Sequence, residues 1–550
     1  MKLLIVGGVA GGASAATRAR RLSEDAEIIL IERGPDVSFA NCGLPYYVGG
    51  EIAERNKLLV TTPNQLRTRF KLDVRTQSSV ESIDRATKKI RIKDLTSGRE
   101  YDESYDKLIL APGAAPLRPS LPGIDLPGIF TLRNLQDVDR IKDRVDRGVQ
   151  QVALVGAGFI GLELVENFVK RGVATTVIEL SDQVLPPFDK EMTTPLAQEL
   201  AAKGVTLMLG ESAEAFEQTS TGLTVRLKSG RTVSAQLVIL GIGVRPENTL
   251  ATNAGLEIGG RGGVRVDKQM RTSDPDIYAV GDVIEVNDSV TGSPTQVPLA
   301  GPANRQGRIA ADNVFGRTAQ YRGTQGTAIL GLFDQTAAMT GASEKLLKKA
   351  TQPYRKIYVH PAHHAGYYPG AKAMTLKLLF DPKTGRLLGA QAVGAAGVDK
   401  RIDVLAVAIQ AGMTVFDLEE MELCYSPQYG SAKDPVNMAG FVAAGLLRGD
   451  HPQLDIESVL TTPVEQRPFL IDVRTAQEFS SGAIPGAINI PVDELRGRLN
   501  ELPRDRQIAV YCQVGQRGYL ATRILLQHGY SAANIGGGYK TFKLFDLSAH

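Results

Sequence analysis

The chain reads as an α/β protein: two doubly wound nucleotide-binding units, an α+β unit and a small C-terminal α/β unit. Three observations predict this. A strand, a glycine loop, a helix and a second strand occur twice, at KLLIVGGVAGGASAATRARRL with EIILIER and at QVALVGAGFIGLELVENFVKRG with ATTVIEL. The runs YRKIYVHPAHHAGYYPG and AMTLKLLFDPKTGRLLGAQAVG alternate like antiparallel strands with a Thr384-Gly385 turn, and RIDVLAVAIQAGM follows as an amphipathic helix. Near the C-terminus, FLIDVR, AINIP and QIAVYC read as short strands alternating with helices.

A length of 550 residues accommodates several domains. The first nucleotide unit is assigned to 1–148 and 266–325, and the second to 149–265. The α+β unit takes 326–446, a polar connector carrying Pro452 takes 447–457, and the last unit takes 458–550. Within the first unit, KLILAPGAAPLRPSLPGI is a strand running into a Pro/Gly-rich crossover. Further on, QLVILGIGVRPEN and SDPDIYAVGDV read as strands ending in turns.

Lysine plus arginine (63) nearly balance aspartate plus glutamate (60), so no global field recruits nucleic acid or a membrane. An anionic ligand therefore needs local charge. Three cysteines, at 42, 424 and 512, fit a reducing cytoplasm better than a secreted disulfide scaffold. The N-terminal apolar run LLIV meets Gly7 at once and is too short for a secretory or membrane segment.

In the second unit, Gly156-x-Gly158-x-x-Gly161 follows a strand and opens a helix, and Glu179 closes the next strand. The glycines permit a tight turn and close approach of backbone to pyrophosphate, and Glu179 can accept from a ribose hydroxyl. A carboxylate there repels a 2′-phosphate and the following LSDQ supplies no arginine, which favours NADH over NADPH. The first loop, Gly7-Gly8-Val9-Ala10-Gly11-Gly12, puts Val9 in the middle-glycine place, while Glu32 still closes the second strand.

Together with AVGDV at Gly281-Asp282, these loops resemble the two-dinucleotide-domain flavoprotein reductases, the pyridine nucleotide-disulfide oxidoreductases. In that family the first fold holds FAD and the second NAD(P)H. The resemblance implies FAD contacts from Gly7, Val9, Ala10, Gly11, Glu32, Arg33, Asn41, Cys42, Ala111, Gly281, Asp282, Leu299 and Ala300, with Asp282 at the ribityl chain. For NADH it implies Gly156, Gly158, Phe159, Ile160, Gly161, Glu179 and Gly243.

A thiolate nucleophile needs a depressed pKa, supplied by a helix terminus, a cation or a flavin. Cys42, in SFANCGLPYY, has no second cysteine nearby and cannot close a local disulfide. The stretch resembles the single-cysteine branch of these reductases, which includes coenzyme A-disulfide reductases, NADH oxidases and NADH peroxidases. The oxidases and peroxidases place a histidine where this chain has Ala10, whereas GGVAGGASAA, HAGYYPG and YSPQYGSAKDP resemble the coenzyme A branch. That branch implies a homodimer in which Tyr367 and Tyr425 of the partner subunit assist the leaving thiolate. It also implies that Ser14, Arg18, Arg21, Ser38, Asn41, Lys71, Asn304 and Lys433 contact coenzyme A. Arg18 and Arg21, three apart on the first helix, would share one face as a basic rim. Cys424, in MELCYS, is expected to be structural.

Cys512 opens CQVGQR, which leads straight into a helix. Backbone N–H groups can converge on its sulfur with the helix dipole behind them, and Arg517 adds positive charge. CxxGxR with LIDVRTAQEF and GAIPGAINIP resembles a single-domain rhodanese over residues 455–550, with Ala483 in place of that family's usual histidine.

The expected activity is NADH- and FAD-dependent reduction of the S–S bond of persulfides or polysulfides, coenzyme A persulfide included, through Cys42. Cys512 would deliver sulfane sulfur, with coenzyme A as bound substrate or carrier. Three other readings stay open: a coenzyme A-disulfide reductase proper, a sulfurtransferase with a regulatory flavin part, and a redox-sensing interaction protein. No metal, nucleic acid or membrane partner is expected.

Overall fold

The computed structural model describes residues 1–548. The chain divides into two compact units, one formed by 1–182 with 203–324 and the other by 183–202 with 325–550. Residues 183–202, inside the stretch assigned above to the second nucleotide unit, therefore cluster with the later part of the chain.

In the first unit, strand Lys2–Val6 lies between Glu27–Ile31 and Lys107–Leu110 in a five-stranded parallel sheet completed by Asp73–Arg75 and Ile277–Ala279. Leu3, Leu4 and Ile5 are fully buried, as a parallel sheet covered on both faces requires. The second nucleotide sheet repeats the plan. Gln151–Val155 runs between Ala174–Glu179 and Leu237–Leu240, with Thr206–Leu209 and Ile129–Phe130 at the edges.

Two three-stranded antiparallel sheets, over 78–104 and 213–235, have no counterpart in the sequence reading. Strands such as SSVESID and EYDES carry so many charges and hydroxyls that a period of two is barely visible.

The second unit contains a five-stranded antiparallel sheet in which Met374–Phe380 pairs with Leu387–Gly394. The connection is not a two-residue turn. It spans 381–386, held by the Asp381 carboxylate, which accepts from the N–H groups of Lys383 and Thr384 and from the Thr384 hydroxyl. Every residue of both strands is buried, so the expected inside–outside alternation is absent. Strand Arg355–Val359 ends well before HAGYYPG, which is loop.

Lys377 lies in the middle of this buried sheet with no exposure. Its ammonium donates to Asp189 at 2.8 Å, Glu191 at 2.5 Å and Glu344 at 2.5 Å. Those three carboxylates lie within 4.8 Å of one another, a spacing that would suit a metal ion, but a lysine already serves all three. This ion cluster ties the 183–202 segment into the second unit.

The last part of the chain is a five-stranded parallel sheet in the order Gln453–Leu454, Ala532–Ile535, Ile508–Tyr511, Phe469–Asp472, Ile488–Asn489. Cys512 follows its central strand directly. Among the described residues no helix is long and apolar enough to cross a membrane.

Lys377→Met should lower unfolding stability by about 3–5 kcal/mol, because three buried carboxylates lose their cation. An unchanged denaturant midpoint would contradict this account of the cluster. Burial alone would raise the pKa of Glu344, but Lys377 and Lys356 outweigh it and hold it at about 2. Its folded value thus lies below the ordinary 4.5. The stabilisation it contributes is complete above that pH and is lost as pH falls towards 2, which an acid titration followed by near-UV dichroism would detect.

Candidate functional site

The two glycine loops are built alike. At Gly7, φ is +97° and an added Cβ would lie 2.1 Å from the carbonyl oxygen of Ala111; at Gly156, φ is +106° and it would lie 2.4 Å from that of Gly241. One turn into each helix, a Cβ on Gly12 or Gly161 would meet the carbonyl of Gly7 or Gly156 at 1.8 Å or 2.4 Å. Glu32 accepts from the N–H groups of Gly8 and Gly34, both at 2.7 Å, and Glu179 from those of Ala157 at 2.7 Å and Ser181 at 2.8 Å. The helices Ala10–Leu22 and Phe159–Lys170 start at Val9 and Gly158 with no side-chain cap, whereas Pro63–Phe70 and Leu135–Asp146 carry complete capping boxes. Uncapped N–H groups and the helix dipole are what a pyrophosphate needs, so both loops fit a dinucleotide. Val9 is accommodated as the N-cap residue with φ −94°.

Phe159 and Ile160 open the second helix, and Gly243 (φ +109°) lies just beyond strand Leu237–Leu240. Ile160, Leu180, Ile242 and Val244 are exposed apolar residues beside the loop and strand ends of this sheet. Leu180, Ile242 and Val244 were not singled out from sequence; their signal is an apolar residue placed just past a strand's carboxyl end.

Cys42 sits in the 3-10 turn Asn41–Gly43, ahead of helix Leu44–Gly49. Asn41 donates to the Arg133 carbonyl at 3.2 Å. Cys42 is open to solvent on one side, yet the chain around it removes enough water that burial raises the thiol pKa. The carboxylates of Glu163 and Asp282 push it the same way. A backbone hydrogen bond at Cys42 acts in the opposite sense but is outweighed by burial and Glu163, so the depressed pKa expected from sequence is not supplied by the protein's own groups. Glu163, on the Phe159–Lys170 helix, is pushed up to about 7 by burial and accepts from the Tyr46 hydroxyl at 3.2 Å. Neither residue was anticipated; Glu163 is a carboxylate that directly follows the apolar first turn of its helix, two positions beyond Gly161.

Asp282 lies in the turn Gly281–Val283, where Gly281 (φ +81°) donates to the Gln306 side chain. Burial raises its pKa, opposed by Arg133, and no hydrogen bond from a described residue reaches its carboxylate. A half-buried carboxylate without a protein donor fits a hydroxyl-bearing cofactor chain. Leu299 and Ala300 form the start of helix Ala300–Val314, again without a side-chain cap. Arg33, by contrast, is engaged with Glu247, which Arg133 also binds.

Helices Ala10–Leu22 and Ala300–Val314 are in close contact: a Cβ on Gly307 would lie 2.2 Å from the Gly11 carbonyl. This brings Ser14 to Asn304 and pairs Arg18 with Asp312 at 2.7 Å, both side chains only 15% exposed. Arg18 is thus an internal ion pair and not the free rim cation expected with Arg21. Arg21 and Lys71 are exposed, and Ser38 adopts φ +46°. Arg305 and Arg308, exposed beside Asn304 on the same helix, are cations the sequence reading missed.

In the second unit, the hydroxyls of Tyr367 and Tyr425 meet at 3.0 Å, and this bond raises the Tyr367 pKa. Both residues are exposed in the chain, at 76% and 49%. Buried Arg401 donates to Asp434 at 2.8 Å and to the His363 carbonyl at 2.7 Å, tying together the two segments that carry the tyrosines. Lys433 is exposed. Cys424, expected to be structural, is exposed as well.

Cys512 is 1% exposed, and the Gly515 N–H donates to its sulfur at 3.1 Å. Gly515, with φ +108°, is the N-cap residue of helix Gln516–Gln527. Arg517 makes a two-pronged pair with Glu478, both bonds 2.7 Å, and that pair, followed by Cys512, raises its pKa. Buried Arg474 is paired with Asp472, donates to the Gln513 side chain and lies over the Tyr539 ring at 4.1 Å.

Gly161→Ala should raise KM for NADH by about tenfold or more, because its methyl meets the Gly156 carbonyl, while bound flavin is retained. Flavin content and NADH bleaching measured side by side would check this; unaltered bleaching would contradict it.

Three protein-family models match the chain: pyridine nucleotide-disulphide oxidoreductase over residues 1–307, its dimerisation domain over 328–434, and the rhodanese-like domain over 458–544. The coenzyme A disulfide reductase of Staphylococcus aureus (strain bovine RF122 / ET3-1) is 36% identical over 444 residues, 80% of this chain and 99% of the relative. Reduced CoADR-RHD of Bacillus anthracis shares the fold with a TM-score of 0.97 at 48% identity, covering 100% of this chain and 98% of that one. A NAD-dependent persulfide reductase from A. fulgidus gives 0.91 at 37% identity, covering 98% and 100%. With a thiol beside the first of two dinucleotide loops and matches over most of its length, the chain belongs to the pyridine nucleotide-disulphide oxidoreductases, an FAD- and NAD(H)-dependent family of oxidoreductases, and carries a C-terminal rhodanese-like domain.

Proposed function

We propose that the protein reduces the S–S bond of persulfides and polysulfides, coenzyme A persulfide included, through Cys42 at the expense of NADH. In this reading Cys512 delivers the sulfane sulfur. The observation that carries it is the presence in one chain of two separate thiols, Cys42 beside the first dinucleotide loop and Cys512 under a rhodanese-type loop. FAD, when bound, would pass the electron pair of NADH to sulfur. The residues that would hold it are those of the first loop with Glu32 and Asp282, and NADH would lie on the second loop with Glu179.

The Cys42 thiolate attacks the S–S bond of the substrate. One sulfur stays on Cys42 and the other leaves as a thiolate; two electrons from NADH then break the new S–S bond, releasing the retained sulfur as hydrosulfide or thiol and restoring the free Cys42 thiol. The carboxylates around Cys42 resist the thiolate, so its activation is assigned to the loaded site. Tyr367 and Tyr425 of the partner subunit in a homodimer donate to the departing sulfur. Coenzyme A is held by Ser14, Arg21, Ser38, Asn41, Lys71, Asn304 and Lys433, with Arg305 and Arg308 adding positive charge. The domain limits read from sequence are kept except for residues 183–202, which cluster with the later part of the chain, and the enzyme is assigned to a reducing cytoplasm.

The name of the Staphylococcus relative supports a second reading, coenzyme A-disulfide reductase proper. The fused rhodanese-like domain favours persulfide, because a disulfide reductase has no need of a sulfane carrier.

Released FAD and coenzyme A should appear in the mass spectrum of denatured purified protein. Cys42→Ser should abolish NADH-driven sulfide release from coenzyme A persulfide by about a thousandfold or more, while NADH still bleaches the flavin. Sulfide release that persists in this variant would refute the reading, and turnover of coenzyme A disulfide far above persulfide would favour the second.

A further inference from the structure

The Cys512 loop is short of available cations. Its remaining side chains before Arg517 are Gln513, Val514, Gly515 and Gln516, none of them charged. The Arg517 guanidinium is held by both oxygens of Glu478. Glu478 is itself fixed: its Oε2 also accepts from the N–H and hydroxyl of Thr475, as the third residue of a capping box on helix Ala476–Ser480. The same ion pair holds the Glu478 carboxylate at about 2, so it is ionised at neutral pH. Arg474, the next guanidinium, is matched by Asp472 and buried under Tyr539. Lys540 touches the loop through its backbone N–H, which donates to the Gln513 carbonyl, but burial disfavours its charge and lowers its pKa.

A thiolate at Cys512 therefore joins one cation and one carboxylate, and the local sum is negative. A dianionic sulfur donor such as thiosulfate approaches this site against repulsion, with only backbone N–H groups to receive its sulfonate. The persulfide group carries at most one charge, and the phosphates of coenzyme A lie a pantetheine arm away from the reacting sulfur, so the leaving thiolate needs no cationic cradle at the loop.

We propose that Glu478 is a specificity-determining residue for sulfur transfer to Cys512: by occupying Arg517 it denies a cation to dianionic donors and restricts the loop to persulfide thiols. The inference rests on reading Cys512 as a sulfur carrier. In the step concerned, the Cys512 thiolate attacks the outer sulfur of R–S–SH. The bond from the outer to the inner sulfur breaks, its electron pair leaves as R–S⁻, and the proton stays on the terminal sulfur of Cys512–S–SH. No external oxidant or reductant is required.

The test uses the full-length protein without NADH. Initial rates of sulfur loading on the Cys512 peptide are measured by mass spectrometry, with either thiosulfate or coenzyme A persulfide as donor. Wild type should load faster from persulfide. Glu478→Gln, which can keep the Thr475 cap, frees Arg517 and should raise the thiosulfate-to-persulfide ratio by about tenfold or more. Val514→Arg, at an exposed position, adds a cation independently and should move the ratio the same way. Comparable rates from both donors in wild type, or an unmoved ratio in a variant that still loads from persulfide, would overturn the specificity assignment alone. Loading from neither donor would overturn both this assignment and the carrier role of Cys512.

Discussion

The contact on which the nucleotide units depend is the approach of a glycine Cα to the carbonyl that follows a neighbouring strand. Gly7 against Ala111 and Gly156 against Gly241 leave no room for a Cβ, and both glycines have positive φ. The turn that results aims an uncapped helix N-terminus outward and lets Glu32 or Glu179 tie the loop to the next strand through backbone N–H groups. The same device used twice, on two parallel sheets, is what makes the chain a two-nucleotide protein.

The two thiols differ in how the protein treats charge. Around Cys42 the chain supplies carboxylates, Glu163 and Asp282, and a partly dehydrated cleft, all of which oppose the thiolate. Such a site is quiet until something other than a side chain stabilises the anion. Around Cys512 the chain supplies a backbone donor and an arginine, and then neutralises the arginine with Glu478.

The second unit manages charge by enclosure. Lys377 in a fully buried strand draws three carboxylates onto itself, and two of them, Asp189 and Glu191, belong to a segment far earlier in the chain. Arg401 with Asp434 does similar work at the tyrosine segments, holding HAGYYPG and YSPQYGS so that two hydroxyls meet. Buried ions of this kind fix where a loop lies more than they add to stability.

Sequence alone determined what is local: both strand–loop–helix–strand units, the strand ending at Cys512, and the glycines whose backbone must turn, because period, loop composition and spacing lie within a few dozen residues of each other. The two small antiparallel sheets escaped it, since charge-rich strands hide a period of two; strand Met374–Phe380 was legible as a strand, but its burial on both faces was not. The partners of the ions escaped it as well. Arg18 reads as a free cation until the Ala300–Val314 helix brings Asp312 to it, and Cys42 reads as activated until Glu163 and Asp282 are seen beside it. Coulomb interactions act through space and a linear chain records only order, so the sign of the field at each thiol was decided by the tertiary fold.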